Sequence, residues 1–345
     1  GQPLLSLEGL LPSYKGSALG RLPQSLRAIP RSFNTIGIPS SALAMYRSPF
    51  PFLGLAEPDP ELAQAIVLPI PYEATTSYGK GTAKGPQALL QASAYVEIYD
   101  EVRDCQPALH PDFAAETSRY WTAPPVEFEG LDAHELAMAA IQRRAAEWVR
   151  PGRFLLSIGG EHSITGPLIA AHLSHYPELH VLQIDAHCDL RDSYEGSRYS
   201  HASAMARVVE QVGGRLTQVG IRSLCAEDRQ AIRKHRLHTF FAHSLHGKPA
   251  QEWIPEVIAT LGSQVYLTVD VDGLDPAVVP ATGTPEPGGL GWWETVELIR
   301  ALGQQRQIVG ADVVELAVTG ERETDRRSAF TAAKLAYQIL AAALG

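Results

Sequence analysis

Five short apolar runs, at 65–70, 154–158, 180–184, 265–269 and 308–314, are bounded by Gly, Pro or acidic residues and alternate with longer amphipathic stretches. A strand apolar on both faces has to be covered on both faces, so such runs read as buried parallel strands. Helix-like periodicity at 85–94, 133–149, 166–175, 226–235, 292–302 and 328–344 supplies the cover. Strand and helix in alternation predict an α/β fold with a parallel sheet between two helical layers. A chain of 345 residues with 45% hydrophobic content is long enough to bury that core. Residues 1–55 differ: rich in Pro, Ser and Gly, without sustained periodicity, they end in the turn-prone SPFP at 48–51. They are expected to form an N-terminal extension, an arm or lid suited to subunit contact, ahead of a folded domain at 56–345.

Polar residues cluster where the apolar runs stop, and in open α/β sheets the carboxyl ends of strands are where sites form. DAHCD at 185–189 follows the run at 180–184. Side chains at alternate positions of an extended chain share a face, so Asp185, His187 and Asp189 can converge like the teeth of a comb. A second comb, Asp270 and Asp272, follows the run at 265–269, with Asp275 opening a turn. GGEHS at 159–163 brings His162 to the same edge, with Ser163 as a candidate helix cap. One histidine after paired glycines is an ordinary loop residue in a chain with 12 histidines; the combination gives it meaning. Four carboxylates and two imidazoles exceed what one catalytic ion takes, so two divalent ions fit better. Mixed oxygen and imidazole ligands suit manganese, with nickel the alternative. Such a pair activates water for attack on an electrophilic carbon.

Net charge is −9 and no run of Lys and Arg makes a phosphate-tracking stripe, so nucleic acid is not an expected partner. Three cysteines without paired spacing argue against a disulfide framework and for a reducing, cytoplasmic setting. No stretch of about 18 apolar residues occurs, so no membrane anchor is expected.

GGEHS, DAHCD and DVDGLDPAVVPATGTPEPGG at 270–289, together with PYEATTSYGKGTAKGP at 71–86, DVVELA at 312–317 and FTAAKLAYQIL at 330–340, resemble the ureohydrolases, the arginase and agmatinase superfamily. The resemblance implies a three-layer α/β/α arginase-like fold in which residues 56–345 form the catalytic domain. It implies two manganese ions on His162, Asp185, His187, Asp189, Asp270 and Asp272. It also implies that His201, in SHASAM, moves protons, and that Glu315 accepts the guanidinium of a small cationic substrate. Asp275 and Thr284, in the turn beside the second comb, are candidates to orient ligands from behind. The family generally forms trimers or hexamers, so a homo-oligomer is expected.

Arginases carry an Asn and Ser-containing loop after the first comb; here that interval is LRDSYEGSRYS at 190–200, without the Asn. Its style is closer to the agmatinase branch, which implies agmatine as substrate and putrescine and urea as products. Arg191 and Arg198 could instead meet a carboxylate, and the charged GERETDRR at 320–327 bears on the end of the pocket that holds the substrate tail. Guanidine, guanidinobutyrate, arginine and a formimino amino acid are alternative substrates on the same scaffold. A single-zinc amide deacetylase and a non-catalytic binding protein are readings from other classes.

Overall fold

The computed structural model describes residues 48–111 and 117–345. Most of the expected extension, residues 1–47, lies outside the described residues. Its last part does not stand apart, because Phe52 is fully buried and joins the core through an edge-to-face contact with Tyr120 at 5.5 Å.

Eight strands form one sheet: β1 (Ala65–Ile70), β2 (Tyr120–Thr122), β3 (Phe154–Gly159), β4 (His180–Ile184), β5 (Leu216–Ile221), β6 (His238–Phe241), β7 (Gln264–Asp270) and β8 (Gln307–Val314). They pair in the order β2-β1-β3-β8-β7-β4-β5-β6, every pairing parallel. The five expected strands are all present, and β2, β5 and β6 extend the sheet at its wings. Nothing in an apolar run announces those three. β2 has three residues, β5 is broken by Thr217 and Gln218, and β6 is half-exposed at the edge.

The helices are α1 (Gly85–Ser93), α2 (His134–Ala146), α3 (Thr165–Leu173), α4 (Ala204–Val212), α5 (Ala226–His235), α6 (Ala242–Leu245), α7 (Ala250–Ala259), α8 (Trp292–Gln305) and α9 (Arg322–Leu344). Alternate strand residues feed two cores. Val67, Leu156, Leu182, Leu267 and Ala311 pack with Leu89 of α1, Trp253 of α7, Leu298 of α8 and Leu335 of α9. Ile66, Leu155, Val181 and Tyr266 pack on the other face with Ile141 of α2, Leu168 of α3, Val208 of α4 and Ile232 of α5. Coverage on both faces is why the strands read as continuous apolar runs.

The stretch 320–327 makes the first turns of α9, where Asp325 accepts from the backbone N–H of Thr319 and Gly320. Charge there serves an exposed helix start; the described lining of the main cleft includes none of these residues.

Candidate metal centre and active site

The strand order places the ends of β3, β8, β7 and β4 side by side, and the expected ligands gather above them. At the end of β3 the chain has to turn tightly. A Cβ on Gly160 would stand 1.9 Å from the Tyr72 carbonyl oxygen, so only glycine fits. His162 then begins a 3-10 turn (His162–Ile164) that runs straight into α3. Ser163 is already inside that helical run and does not cap it; its hydroxyl donates to Glu161 Oε1 at 2.6 Å.

The first comb is not an extended strand. β4 ends at Ile184, and residues 185–189 turn over the sheet edge, with Asp189 at a φ of 52°. Asp270 closes β7 and Asp272 sits in the 3-10 turn Val271–Gly273. Convergence therefore comes from turns that spend one carboxylate oxygen on the backbone and turn the other towards the histidines. Asp185 Oδ1 accepts from His187 N, Asp272 Oδ1 from Ala186 N, and Asp270 Oδ1 from Asp272 N.

The candidate ligand atoms fall into two groups that share Asp185: His162, Asp185 and Asp270, and Asp185, His187 and Asp272, with those in each within 4.8 Å of one another. His162 Nδ1 lies 3.1 Å from Asp185 Oδ2, 3.1 Å from Asp189 Oδ2 and 3.4 Å from Asp270 Oδ2. His187 Nδ1 lies 2.9 Å from Asp272 Oδ2. Among the described residues, no Lys or Arg pairs with these four carboxylates.

Buried charge without a counterion is expensive, and the titration behaviour reflects it. Burial, with Asp272 and Asp185 nearby, pushes Asp270 well above the usual carboxylate range. Burial, Asp272 and Asp189 push Asp185 up to about 7. Burial alone would lower the histidines, but hydrogen bonds to Asp185, Asp189 and Asp270 hold His162 far above its ordinary value, and Asp272 raises His187 to about 11. Positive charge is drawn strongly to this spot.

The hydrogen-bond network also assigns the His162 tautomer. Thr268 Oγ1 spends its hydrogen on Asp312 Oδ1 at 2.6 Å, so at 2.9 Å it accepts from His162 Nε2–H. That leaves Nδ1, 3.1–3.4 Å from three carboxylates, as the atom whose proton they stabilise and whose lone pair a cation can take in that proton's place. A buried imidazole lone pair amid hard oxygen donors fits divalent cations, which compete with protons for the same atoms.

Glu315, at the end of β8, is also strained, with φ 64°. Its Oε1 accepts from His162 N at 2.6 Å, and burial beside Glu161 raises its pKa well above the ordinary range. A guanidinium would relieve that charge. His201 is half-buried above the centre, its backbone N–H donating to Thr75 Oγ1 at 2.9 Å and its ring edge-on to Tyr194 at 6.1 Å.

A cleft of about 260 Å³ is lined by His162, His187, Asp189, Asp270, Asp272, His201, Glu315 and Thr284, with Tyr78, Arg191 and Tyr194 among its other walls. Asp185 is fully buried beneath it. Asp275 does not reach it: its oxygens accept from Ala277, Gly288 and Gly289 N–H groups and brace the loop. Arg198 is outside as well, paired with Glu210 at 2.6 Å on the surface.

Several functional residues were not legible as such. Glu161 is fully buried and binds Ala74 N, Thr75 N and Thr75 Oγ1, so it fixes the hydroxyl that holds His201. Glu73 grips Gly81 N and Ala83 N and closes the YGKGT loop. Arg222 donates to the carbonyls of Asp272, Gly273, Glu286 and Pro287, tying the second comb to the loop behind it. Glu286 stands 3.7 Å from His187 Nε2. Each is a single charged residue in a loop, for which spacing gives no signal.

An N(1)-aminopropylagmatine ureohydrolase of Synechocystis is 40% identical over 283 residues, 81% of this chain and 88% of that protein. An agmatinase of Pyrococcus horikoshii is 33% identical over 283 residues, 81% of this chain and 91% of its own length. The crystal structure of agmatine ureohydrolase of Thermoplasma volcanium superposes with a TM-score of 0.72 at 28% identity, covering 83% of this chain and 92% of that one. A sequence profile of the arginase family matches residues 63–342, and with the fold and the carboxylate–histidine cluster in place the chain belongs to the arginase family, hydrolases of guanidino C–N bonds.

Proposed function

We propose that the protein hydrolyses an agmatine-type amine, agmatine or its N1-aminopropyl derivative, to urea and the corresponding amine. The observation that carries the reading is one cleft whose floor holds two ligand groups sharing Asp185 and whose walls hold Glu315 and His201. The two relatives named for these substrates match over most of their length.

His162, Asp185, His187, Asp189, Asp270 and Asp272 would hold two divalent cations, manganese in the first place and nickel as the alternative. When bound, they lower the pKa of water towards neutrality and stabilise developing negative charge. Glu315 accepts guanidinium N–H groups and sets the carbon over the floor. His201, steadied by Thr75 and Glu161, hands a proton to the departing amine nitrogen. Guanidinium and water thus give urea and an ammonium ion, with charge and protons balanced. Tyr78, 82% exposed, is among the residues lining the cleft, where an aromatic ring suits a cationic tail.

One observation favours a second reading. Arg191 lines the cleft, its guanidinium 4.6 Å from the Tyr194 ring centre, where it could meet a carboxylate tail such as that of guanidinobutyrate. Urea release is the test, measured with manganese- and with nickel-loaded protein across agmatine, N1-aminopropylagmatine, guanidinobutyrate, arginine and guanidine. The highest kcat/KM is expected for one of the first two. Preference for guanidinobutyrate would move the substrate to the second reading, and no urea from any of them would overturn the function.

A further inference from the structure

Each inner strand has a polar residue inside its apolar run, and the register aligns them. Ser157 of β3 pairs with Asp312 of β8, Asp312 with Thr268 of β7, Thr268 with Gln183 of β4, Gln183 with Gln218 of β5, and Gln218 with Thr239 of β6. All but Thr239 are fully buried. The row lies one side-chain repeat below Asp185 and Asp270, on the same faces of their strands. Apolar residues would fill that layer at less desolvation cost, so the polar row has to be bonded to something.

On the β4–β5–β6 wing the bonds run one way. Thr239 Oγ1 donates to Gln218 Oε1 at 3.0 Å. Gln218 Nε2 donates to Gln183 Oε1 at 2.7 Å and to the Cys188 carbonyl at 3.0 Å. Gln183 Nε2 donates to Asp185 Oδ2 at 2.7 Å and to the His187 carbonyl at 3.1 Å. The two carbonyls and the carboxylate only accept, so neither amide can be flipped without setting oxygen against oxygen. The row thus holds both the carboxylate plane of Asp185 and the turn that carries His187 and Asp189.

We propose that Gln183 and Gln218 are positioning residues of the metal centre, a buried amide relay that pre-sets the first comb for its cations. The inference rests on reading Asp185, His187 and Asp189 as ligands. Its test is the manganese(II) affinity and stoichiometry of the full chain, by equilibrium dialysis and metal analysis, for Gln183→Met, Gln218→Met and the double variant. Thr217→Val is the control: Thr217 is equally buried in the same strand but bonds Thr260 at 2.8 Å, away from the comb.

Each glutamine variant is expected to fold and to bind manganese about tenfold or more weakly, the range for residues that orient ligands from behind. Thr217→Val is expected to bind as the parent does. The double variant is expected to be little weaker than Gln183→Met, because Gln218 acts largely through Gln183. Unchanged affinity in the single variants, or losses that add, overturns the relay. Should Gln218→Met fail to fold, Thr239→Val removes only the hydroxyl that orients the Gln218 amide; weaker binding supports the relay and unchanged binding overturns it. If Asp185→Asn also binds as the parent does, the ligand reading has failed and takes the relay with it.

Discussion

Four buried carboxylates have only two imidazoles beside them, and burial first, with mutual repulsion second, raises Asp185 and Asp270 above the usual carboxylate range. Asp185 and Asp270, two of the proposed ligands, are thus among the groups least comfortable without positive charge. Glu315 belongs to the same set, so Glu315→Gln is expected to lower kcat/KM by about 10²–10³-fold while bound manganese stays constant; loss of manganese instead would make Glu315 a ligand support. His201 holds no ion in this arrangement. His201→Asn is expected to lower kcat by about 10²–10⁴-fold, again with metal content intact, as for a group that only moves a proton. The proposed ligands stood out because Asp and His cluster where two apolar runs end, although turns, and not the alternation of an extended chain, bring them together. Glu161, Glu73 and Arg222 were not, since their importance comes from what they hold and not from where they fall in the sequence.

Elements show the same division. The inner strands announced themselves by apolar runs, but β5 did not, because Thr217 and Gln218 interrupt it. Gln218 is part of the row under the site, as are Ser157, Gln183, Thr268 and Asp312, each a polar residue within an otherwise apolar run. Polar breaks one to three residues before a strand end were the one available signal. α3 carries a different compromise: His172 is fully buried against β7 and β8, with Nδ1 donating to the Leu168 carbonyl at 2.7 Å, and burial lowers its pKa to about 4. The unfolded chain, with a histidine near 6.5, binds the proton more readily, so stability falls as pH drops from about 6.5 to about 4 and levels off below. His172→Gln is expected to flatten that part of a Tm-against-pH profile; an unchanged profile would place the acid sensitivity elsewhere. Arg222 links elements through six backbone carbonyls, those of Gly220, Asp272, Gly273, Leu274, Glu286 and Pro287. Arg222→Ala is expected to destabilise by about 2–3 kcal/mol in urea unfolding, a value near zero showing that the loop needs no clamp.

At the scale of the molecule, helices on both faces leave the strand ends as the open edge of the sheet, and the site occupies that edge. Among the described residues no helix is long and apolar enough to cross a membrane, and no cysteine is in a disulfide. Stability therefore depends on the packed core and on whatever binds the folded state. Cations held only by the native chain stabilise it by linkage, by about 2.7 kcal/mol at a hundredfold excess over Kd for one site, and so raise its Tm. Chelation is accordingly expected to lower the melting temperature and manganese to restore it in the parent but not in Asp185→Asn. A family that generally assembles as trimers or hexamers makes a homo-oligomer our expectation here, with residues 1–47 as the candidate arm; gel filtration of the full chain against one beginning at residue 48 tests both. The most direct measurement is a titration of metal-free protein with manganese(II), following bound metal and urea from agmatine or N1-aminopropylagmatine in the same samples. Two ions per chain, with urea formation completed only as the second site fills, is the expected result; saturation at one ion, or two bound ions with no urea, would contradict the paired-metal hydrolase.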